Sequence, residues 1–259
     1  MTQTTRALSF DQVAAQYAAA RPGYPPALFG AVEDIAGSPL KGADVVDVGA
    51  GTGIATALLR DRGAHVIAVE PGPGMAARLR SALPDVPLVL GTGDALPLAD
   101  SSVDFITYAQ AWHWTDPKRS VPEAIRVLRP GGTLALWWNV SDPDVAWAAE
   151  QDARLARSFN GVGGNRHPYS VTRKAPEILR DLDPALEPVY RCLRWSRRVP
   201  LDSHIANLGS HSVFRMVGPN VAAAFLAHER TRLLRIFPDG IVEEAYAVDL
   251  TVVRKPGRP

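Results

Sequence analysis

Between residues 45 and 59 the chain reads VVDVGAGTGIATALL, with Asp47 two residues ahead of Gly49, and with Gly51 and Gly53 following at alternate positions. Glycine has no Cβ, so such a loop turns sharply and lets a ligand lie against the main chain. The apolar run before it reads as a buried strand and the pattern after it as a helix, whose first turn offers unpaired N–H groups. In open parallel sheets, ligands bind at this carboxyl edge of the strands. The spacing is G-x-G-x-G. The dinucleotide fingerprint is G-x-G-x-x-G, and here Ile54 takes the place of its third glycine; no Lys-Ser or Lys-Thr follows to form a phosphate loop. Glu70 ends the second strand-like segment, 21 residues after Gly49. An acid there accepts hydrogen bonds from ribose hydroxyls. Asp94, after the third such segment, is suited to accept the exocyclic amine of adenine, or else simply forms a turn. Alone each is a weak signal; in series they are a strong one.

The elements that must position these residues follow from periodicity. FDQVAAQYAAA (residues 10–20) reads as an Ala-rich helix stopped by RPGYPP, and residues 27–36 as a second helix. DVVDVG, HVIAVE, VPLVLG and VDFITYAQ are four strands, separated by two helical stretches and the loop TGDALPLADSS. RSVPEAIRVL is a helix, RPGG a turn, and TLALWW the fifth strand. Such alternation implies right-handed βαβ units and a parallel sheet. The pattern breaks after Trp138: residues 141–188 read as mixed helix and loop, VYRCLRWSRRVP as a strand, SHIANLGSHSVFRMV and NVAAAFLAHERTRLLRIF as helices, and IVEEAYAVDLTVVRK as a long final strand.

Composition narrows the class. In 259 residues, 46% are hydrophobic and 21% charged, which is ordinary for a soluble globular chain. Basic residues number 28 against 27 acidic, and no basic tract marks a nucleic-acid surface. Cys192 is the only cysteine, which rules out an intrachain disulfide and argues against a cysteine-based zinc site. No apolar run reaches a membrane span and the N-terminal segment lacks a signal-peptide core. We therefore expect a cytoplasmic protein, monomeric or homodimeric, with no nucleic-acid, membrane or metal partner.

VVDVGAGTG, VIAVEPGPGMAARL, GDALPLADSSVDFITYAQAWHW and AIRVLRPGGTLAL resemble, in order, the motifs of the class I S-adenosylmethionine-dependent methyltransferases. The small-molecule subgroup resembling trans-aconitate methyltransferase is the nearest in pattern, and FDQVAAQYAAARPGYP is similar to its opening helix. The resemblance covers residues 10–138 well and the rest loosely. It implies a Rossmann-like α/β fold, a seven-stranded, mostly parallel sheet with helices on both faces and the last strand antiparallel. It also implies one domain over 1–259, with an N-terminal cap (1–40), a cofactor core (41–140), an insertion or lid (141–188) and a closing segment (189–259). Within it, Gly49, Ala50 and Gly51 would pass beneath the methionine part of S-adenosylmethionine, and Asp47 would help position its amino group. Glu70 would hold the ribose, Met75 pack on the adenine, Asp94 bind its amine with Ala95 nearby, and Gln110 face the methionine or sulfonium. Tyr17 and Arg21 would close over the cofactor. The product would be S-adenosylhomocysteine.

The acceptor half is less legible. His113, in AWHW directly after the fourth strand, is the best general-base candidate among six histidines; the other reading is a histidine that hydrogen-bonds a loop and shapes the pocket. Trp112 and Trp114 would make an apolar wall, or simply core. Arg166, His167, Tyr169 and His211 lie in regions that by resemblance cover the acceptor. No basic pair suited to a dicarboxylate stands out. The expected reaction is methyl transfer to a small molecule, most readily to a hydroxyl or carboxylate oxygen, with carbon or nitrogen acceptors, a nicotinamide-dependent reductase and a non-catalytic cofactor-binding regulator as alternatives.

Overall fold

The computed structural model describes residues 21–159 and 174–257. Seven strands form one sheet in the order β3-β2-β1-β4-β5-β7-β6. These are β1 (Asp44–Val48), β2 (His65–Glu70), β3 (Leu88–Leu90), β4 (Val103–Ala109), β5 (Leu128–Ser141), β6 (Val189–Pro200) and β7 (Ile241–Arg254). β1 to β5 pair in parallel, and β7 slots antiparallel between β5 and β6. The expected mostly parallel sheet with an antiparallel last strand is thus present.

The period of two in the strands sorts side chains to two faces. Val45, Phe105, Trp137, Leu250 and Val252 join α1 (Pro26–Ala36) and α2 (Ile54–Asp61) through Phe29, Val32 and Leu59. On the other face Val46, Ile106, Leu136 and Trp138 meet α4 (Pro117–Val127) and α6 (Ala175–Leu182) through Val121, Ala124 and Leu179. α3 (Pro73–Ala82) buries Leu79 in a smaller cluster with Ala50 and Ala68. Above the carboxyl edge lie α5 (Ala146–Ser158), α7 (Leu201–Gly209), α8 (Ser212–Val217) and α9 (Pro219–Ile236). No helix of the described residues is long and apolar enough to cross a membrane.

Three expectations of local structure change. RPGG is not a turn before the fifth strand: β5 begins at Leu128, and the glycines sit in a register shift opposite Val103 and Phe105. A Cβ on Gly132 would come within 2.9 Å of the Arg129 carbonyl oxygen and 3.0 Å of that of Asp104, so the irregularity is packed rather than looped. SHIANLGSHSVFRMV is two helices, because Ser210 Oγ donates to the Asn207 carbonyl at 2.6 Å and His211 turns extended with ψ 143°. The segment 141–188 does not stay together: α6 enters the sheet's core cluster while the buried side of α5 faces α7 to α9. Its middle lies outside the described residues.

Candidate active site

The site grows from the end of β1. Gly49 has φ +68° and Gly51 φ +60°, the left-handed region that glycine enters without strain. The Gly49 and Ala50 amides both donate to the Val69 carbonyl, at 2.8 and 3.1 Å, folding the loop back on β2. A Cβ on Gly49 would stand 2.5 Å from Ala111 Cβ, so the loop is squeezed against the chain leaving β4. A Cβ on Gly51 would meet nothing within 4 Å, because that side of the loop faces open space.

Two buried acids hold this loop from below. Glu70 accepts from the Gly51 amide through Oε2 at 2.8 Å and from the Gly72 amide through Oε1 at 2.9 Å. Asp47 is fully buried and accepts from Thr56 Oγ1 at 2.6 Å and Thr107 Oγ1 at 3.0 Å. Burial pushes its carboxyl up to about 6, against the pull of those two hydroxyls. Asp47 does not line the cavity; it ties β1, α2 and β4 together beneath the loop.

A cavity opens over this floor. Gly49, Ala50, Gly51, Glu70, Met75, Asp94, Gln110 and Arg21 all line it, which brings together most residues singled out from the sequence. Asp94 has one oxygen committed, Oδ1 accepting from the Asp116 amide at 2.9 Å, and desolvation raises its carboxyl above the usual range. Gln110 sits at φ +59°, uncommon for a side chain with a Cβ. It is pinned there by its amide donating to the Trp137 carbonyl at 2.8 Å and its Nε2 donating to the Asn139 carbonyl at 3.1 Å. Thr52, Tyr108 and Thr115 line the cavity too and carried no sequence signal beyond proximity to the motifs. Thr52 Oγ1 is buried without a hydrogen-bond partner among the described residues. An orphan hydroxyl, an open glycine face and the uncapped first turn of α2 fit a polar ligand on this floor.

Other expectations fall elsewhere. Ala95 is exposed and off the cavity, its amide closing a turn onto the Thr92 carbonyl at 3.3 Å. Trp112 is 1% exposed and donates through Nε1 to Ser120 Oγ at 3.0 Å, so it is core and not a pocket wall; Trp114 does line the cavity. His113 accepts at Nδ1 from Trp138 Nε1, 3.0 Å away. In the neutral ring the proton then sits on Nε2, leaving no ring lone pair with which to take a proton. Burial, aided by the nearby Arg21 charge, pushes this imidazole down to about 4, so it is neutral at ordinary pH. The geometry favours the loop-shaping reading of His113 over the general base. Tyr17, Arg166, His167 and Tyr169 lie outside the described residues.

A second polar centre was missed from the sequence. His204 Nδ1 lies 2.7 Å from Glu244 Oε1, and its Nε2 lies 3.1 Å from Gln151 Oε1. Glu244 also accepts from Arg197 Nε at 2.6 Å, and Arg154 grips Glu229 with Nε and Nη2 at 2.7 and 2.8 Å. Burial alone would raise the Glu244 carboxyl, but His204 and Arg197 hold it down, to about 2. His211 lines a small cavity beside this network, not the first one. The one local hint was His204 and Asn207 at i, i+3 on α7, which share a helix face.

Residues 46–136 match the model of the methyltransferase domain. An uncharacterized methyltransferase of Mycobacterium tuberculosis is 46% identical over 155 residues, 60% of this chain and 62% of the relative's length. The malonyl-[acyl-carrier protein] O-methyltransferase of Methylococcus capsulatus is 37% identical over 146 residues, 53% of this chain and 50% of that one. The solved structure of a proposed type II methyltransferase from Anaeromyxobacter dehalogenans superposes with a TM-score of 0.68 at 28% identity, covering 92% of this chain and 99% of that one.

Proposed function

We infer that this chain is an S-adenosylmethionine-dependent methyltransferase that acts on a small molecule, with a hydroxyl or carboxylate oxygen as acceptor. The observation that carries the reading is the cavity over the glycine loop, flanked by Glu70 and Asp94 and bounded by Gln110 and Arg21, built almost wholly from the stretch that matches the methyltransferase domain. The carboxylate pair suits a ribose and an adenine amine, and Met75, 4% exposed, gives the base an apolar support. Arg21 suits the carboxylate of the methionine part.

Bound S-adenosylmethionine supplies a methyl group on positively charged sulfur, an already activated donor. The chain's own residues then have to align the acceptor and keep water out; orientation alone is worth roughly 7–11 kcal/mol of barrier in well-placed reactants. Gln110, held in one conformation by β5, presents a fixed wall at the end of β4. Trp114 and Ala111 shape the neighbouring side. With His113 Nδ1 occupied by Trp138, the site favours an acceptor that reaches it already ionised; a carboxylate needs no base. The Methylococcus capsulatus relative, an O-methyltransferase by name, points the same way. The lone exposed thiol, Cys192, suits a reducing cytoplasm.

Calorimetric titration with S-adenosylmethionine, S-adenosylhomocysteine and reduced nicotinamide cofactors tests the reading. Binding of the first two alone supports it. Binding of a nicotinamide alone, or of none, removes it.

A further inference from the structure

His204 is 6% exposed, and both of its ring nitrogens have a partner. Nδ1 lies 2.7 Å from Glu244 Oε1 and Nε2 lies 3.1 Å from Gln151 Oε1. What those two oxygens can offer decides the charge on the ring. Arg197 donates to the other oxygen of Glu244 at 2.6 Å and the carboxyl is held down to about 2, so Glu244 brings no proton of its own. Gln151 could bring a proton only if its amide were turned over. Its Nε2 donates to Glu229 Oε2 at 3.3 Å, and Arg154 grips both oxygens of Glu229 as an ion pair. Turning the amide would set the Gln151 oxygen against that carboxylate. Both partners of His204 are thus acceptors, and a neutral imidazole has one N–H to share between them.

The other charged and titratable groups around the ring are these. Asp152, on α5, lines the same cavity and accepts from Ser141 Oγ at 3.3 Å. Burial pushes the Tyr246 phenol up, so it stays neutral beside Glu244. Arg197 and Arg154 are the neighbouring cations, each bound to an acid of the cluster. His211 lines the cavity as a second imidazole. Trp147 covers His204 at 5.6 Å between ring centroids. His204 rides on α7, Glu244 on β7, Gln151 on α5 and Glu229 on α9, so the ring sits where the helical cover is stitched to the sheet.

We propose that His204 is a doubly protonated imidazolium that acts as a pH-sensitive latch, one N–H tying α7 to β7 through Glu244 and the other tying α7 to α5 through Gln151. The two bonds part company when one proton leaves. The charge-assisted bond to Glu244 is the stronger and keeps the remaining proton. Nε2 then turns a lone pair toward Gln151 Oε1, and α5 is the element released. The ring gains its acid partner on folding, so its contribution is fully present below the range in which it titrates in the unfolded chain and is lost as pH rises. Glu244 acts in the opposite sense, losing its contribution in acid, so the latch is closed only between the two titrations.

The test is long-range proton–nitrogen NMR of the full chain carrying isotope-labelled histidine. At about pH 7.5, one unit above the midpoint of free histidine, a free ring favours the neutral form roughly tenfold. His204 should still show two N–H nitrogens there; a ring nitrogen without a proton would overturn the proposal. The pH is then raised until the His204 signals convert to one N–H, with amide hydrogen exchange corrected for its intrinsic rate. Protection of α5 should fall roughly fivefold across that conversion, the scale of one hydrogen bond, while α4, on the far side of the sheet's core, keeps its own. Constant protection of α5, or a fall of α4 and α5 together, would refute the latch. His204→Gln should remove the pH response of α5, with α4 protection reporting a folded variant. His211 is intact in that variant, so an unchanged response would assign the titration to His211 and sink the proposal. The NMR reading in the unsubstituted protein stands even where the variant does not fold.

Discussion

The two polar centres are built on opposite plans. The floor of the first cavity comes from loops that follow β1, β2, β3 and β4, each next to the strand that carries it, and the bonds beneath it, from Gly51 to Glu70 and from Thr107 to Asp47, link strands that are neighbours in the sheet. The second joins α5, α7, α9 and β7 through pairs far apart in the chain: Gln151 with Glu229, His204 with Glu244, Arg154 with Glu229. In the first, acids accept mainly from backbone amides and hydroxyls; in the second, acids meet arginines and a histidine. The first leaves an open glycine face above its acids, and the second is an ionic clamp of acids, arginines and a histidine.

That contrast can be broken by substitution. Gly49→Val should have the largest effect, because a Cβ collides with Ala111 at a residue that also needs positive φ. Binding of S-adenosylhomocysteine should become undetectable by calorimetry; retained affinity would mean the loop is not the ligand floor. Glu229→Ala should come next, on stability: it removes the buried partner of Arg154, of which only 15% of the side chain is exposed, and leaves it only the exposed Glu150 at 3.6 Å. Removing one partner of such a pair costs about 3–5 kcal/mol, read from denaturant unfolding. Affinity of the folded fraction for S-adenosylhomocysteine should not change; a parallel loss would show that the two centres are coupled.

Glu70→Gln should be milder. It keeps one acceptor but turns a donor toward the Gly51 or Gly72 amide, and S-adenosylhomocysteine should bind roughly tenfold more weakly, on the scale of a lost charge-assisted hydrogen bond. The two centres should also separate in acid. Glu244 is held down to about 2 from 4.5, so its contribution to stability is present above pH 4.5 and is lost as pH falls toward 2. Asp47 is raised to about 6 from 3.8, so it opposes folding as pH rises through that window and relaxes in acid. Asp47→Asn should flatten the stability profile between pH 4 and 6, while Glu244→Gln should flatten it below 4.5; the reverse assignment would refute the electrostatic contrast. The smallest effect is expected at His113→Asn, which retains an acceptor for Trp138 Nε1. Turnover should fall less than tenfold, with no change in the form of the pH–rate profile, whereas a general base contributes 10²–10⁴-fold.

Most of what the sequence revealed concerns neighbours in the chain. The strands, their order of appearance and the glycine loop with Glu70 and Asp94 could be read because strand period, turn residues and motif spacing are local properties. So could the length of β7, from IVEEAYAVDLTVVRK, although its place between β5 and β6 could not. Asp47 was noticed for its position, and only the fold reveals that its carboxylate is met by Thr56 and Thr107. His113 was noticed for its type, and only the arrival of Trp138 from β5 decides that its lone pair is taken. His204, Glu229 and Glu244 look like ordinary surface residues of helix and strand until the tertiary structure buries them against one another. A hydrogen bond or ion pair between residues tens of positions apart leaves no periodicity behind, because its energy depends on distance in space and not on separation along the chain. The sequence by itself thus determined the sheet's elements and the glycine loop with its acids at their carboxyl edge. Which polar atoms are satisfied there was decided only when the strands and helices came together.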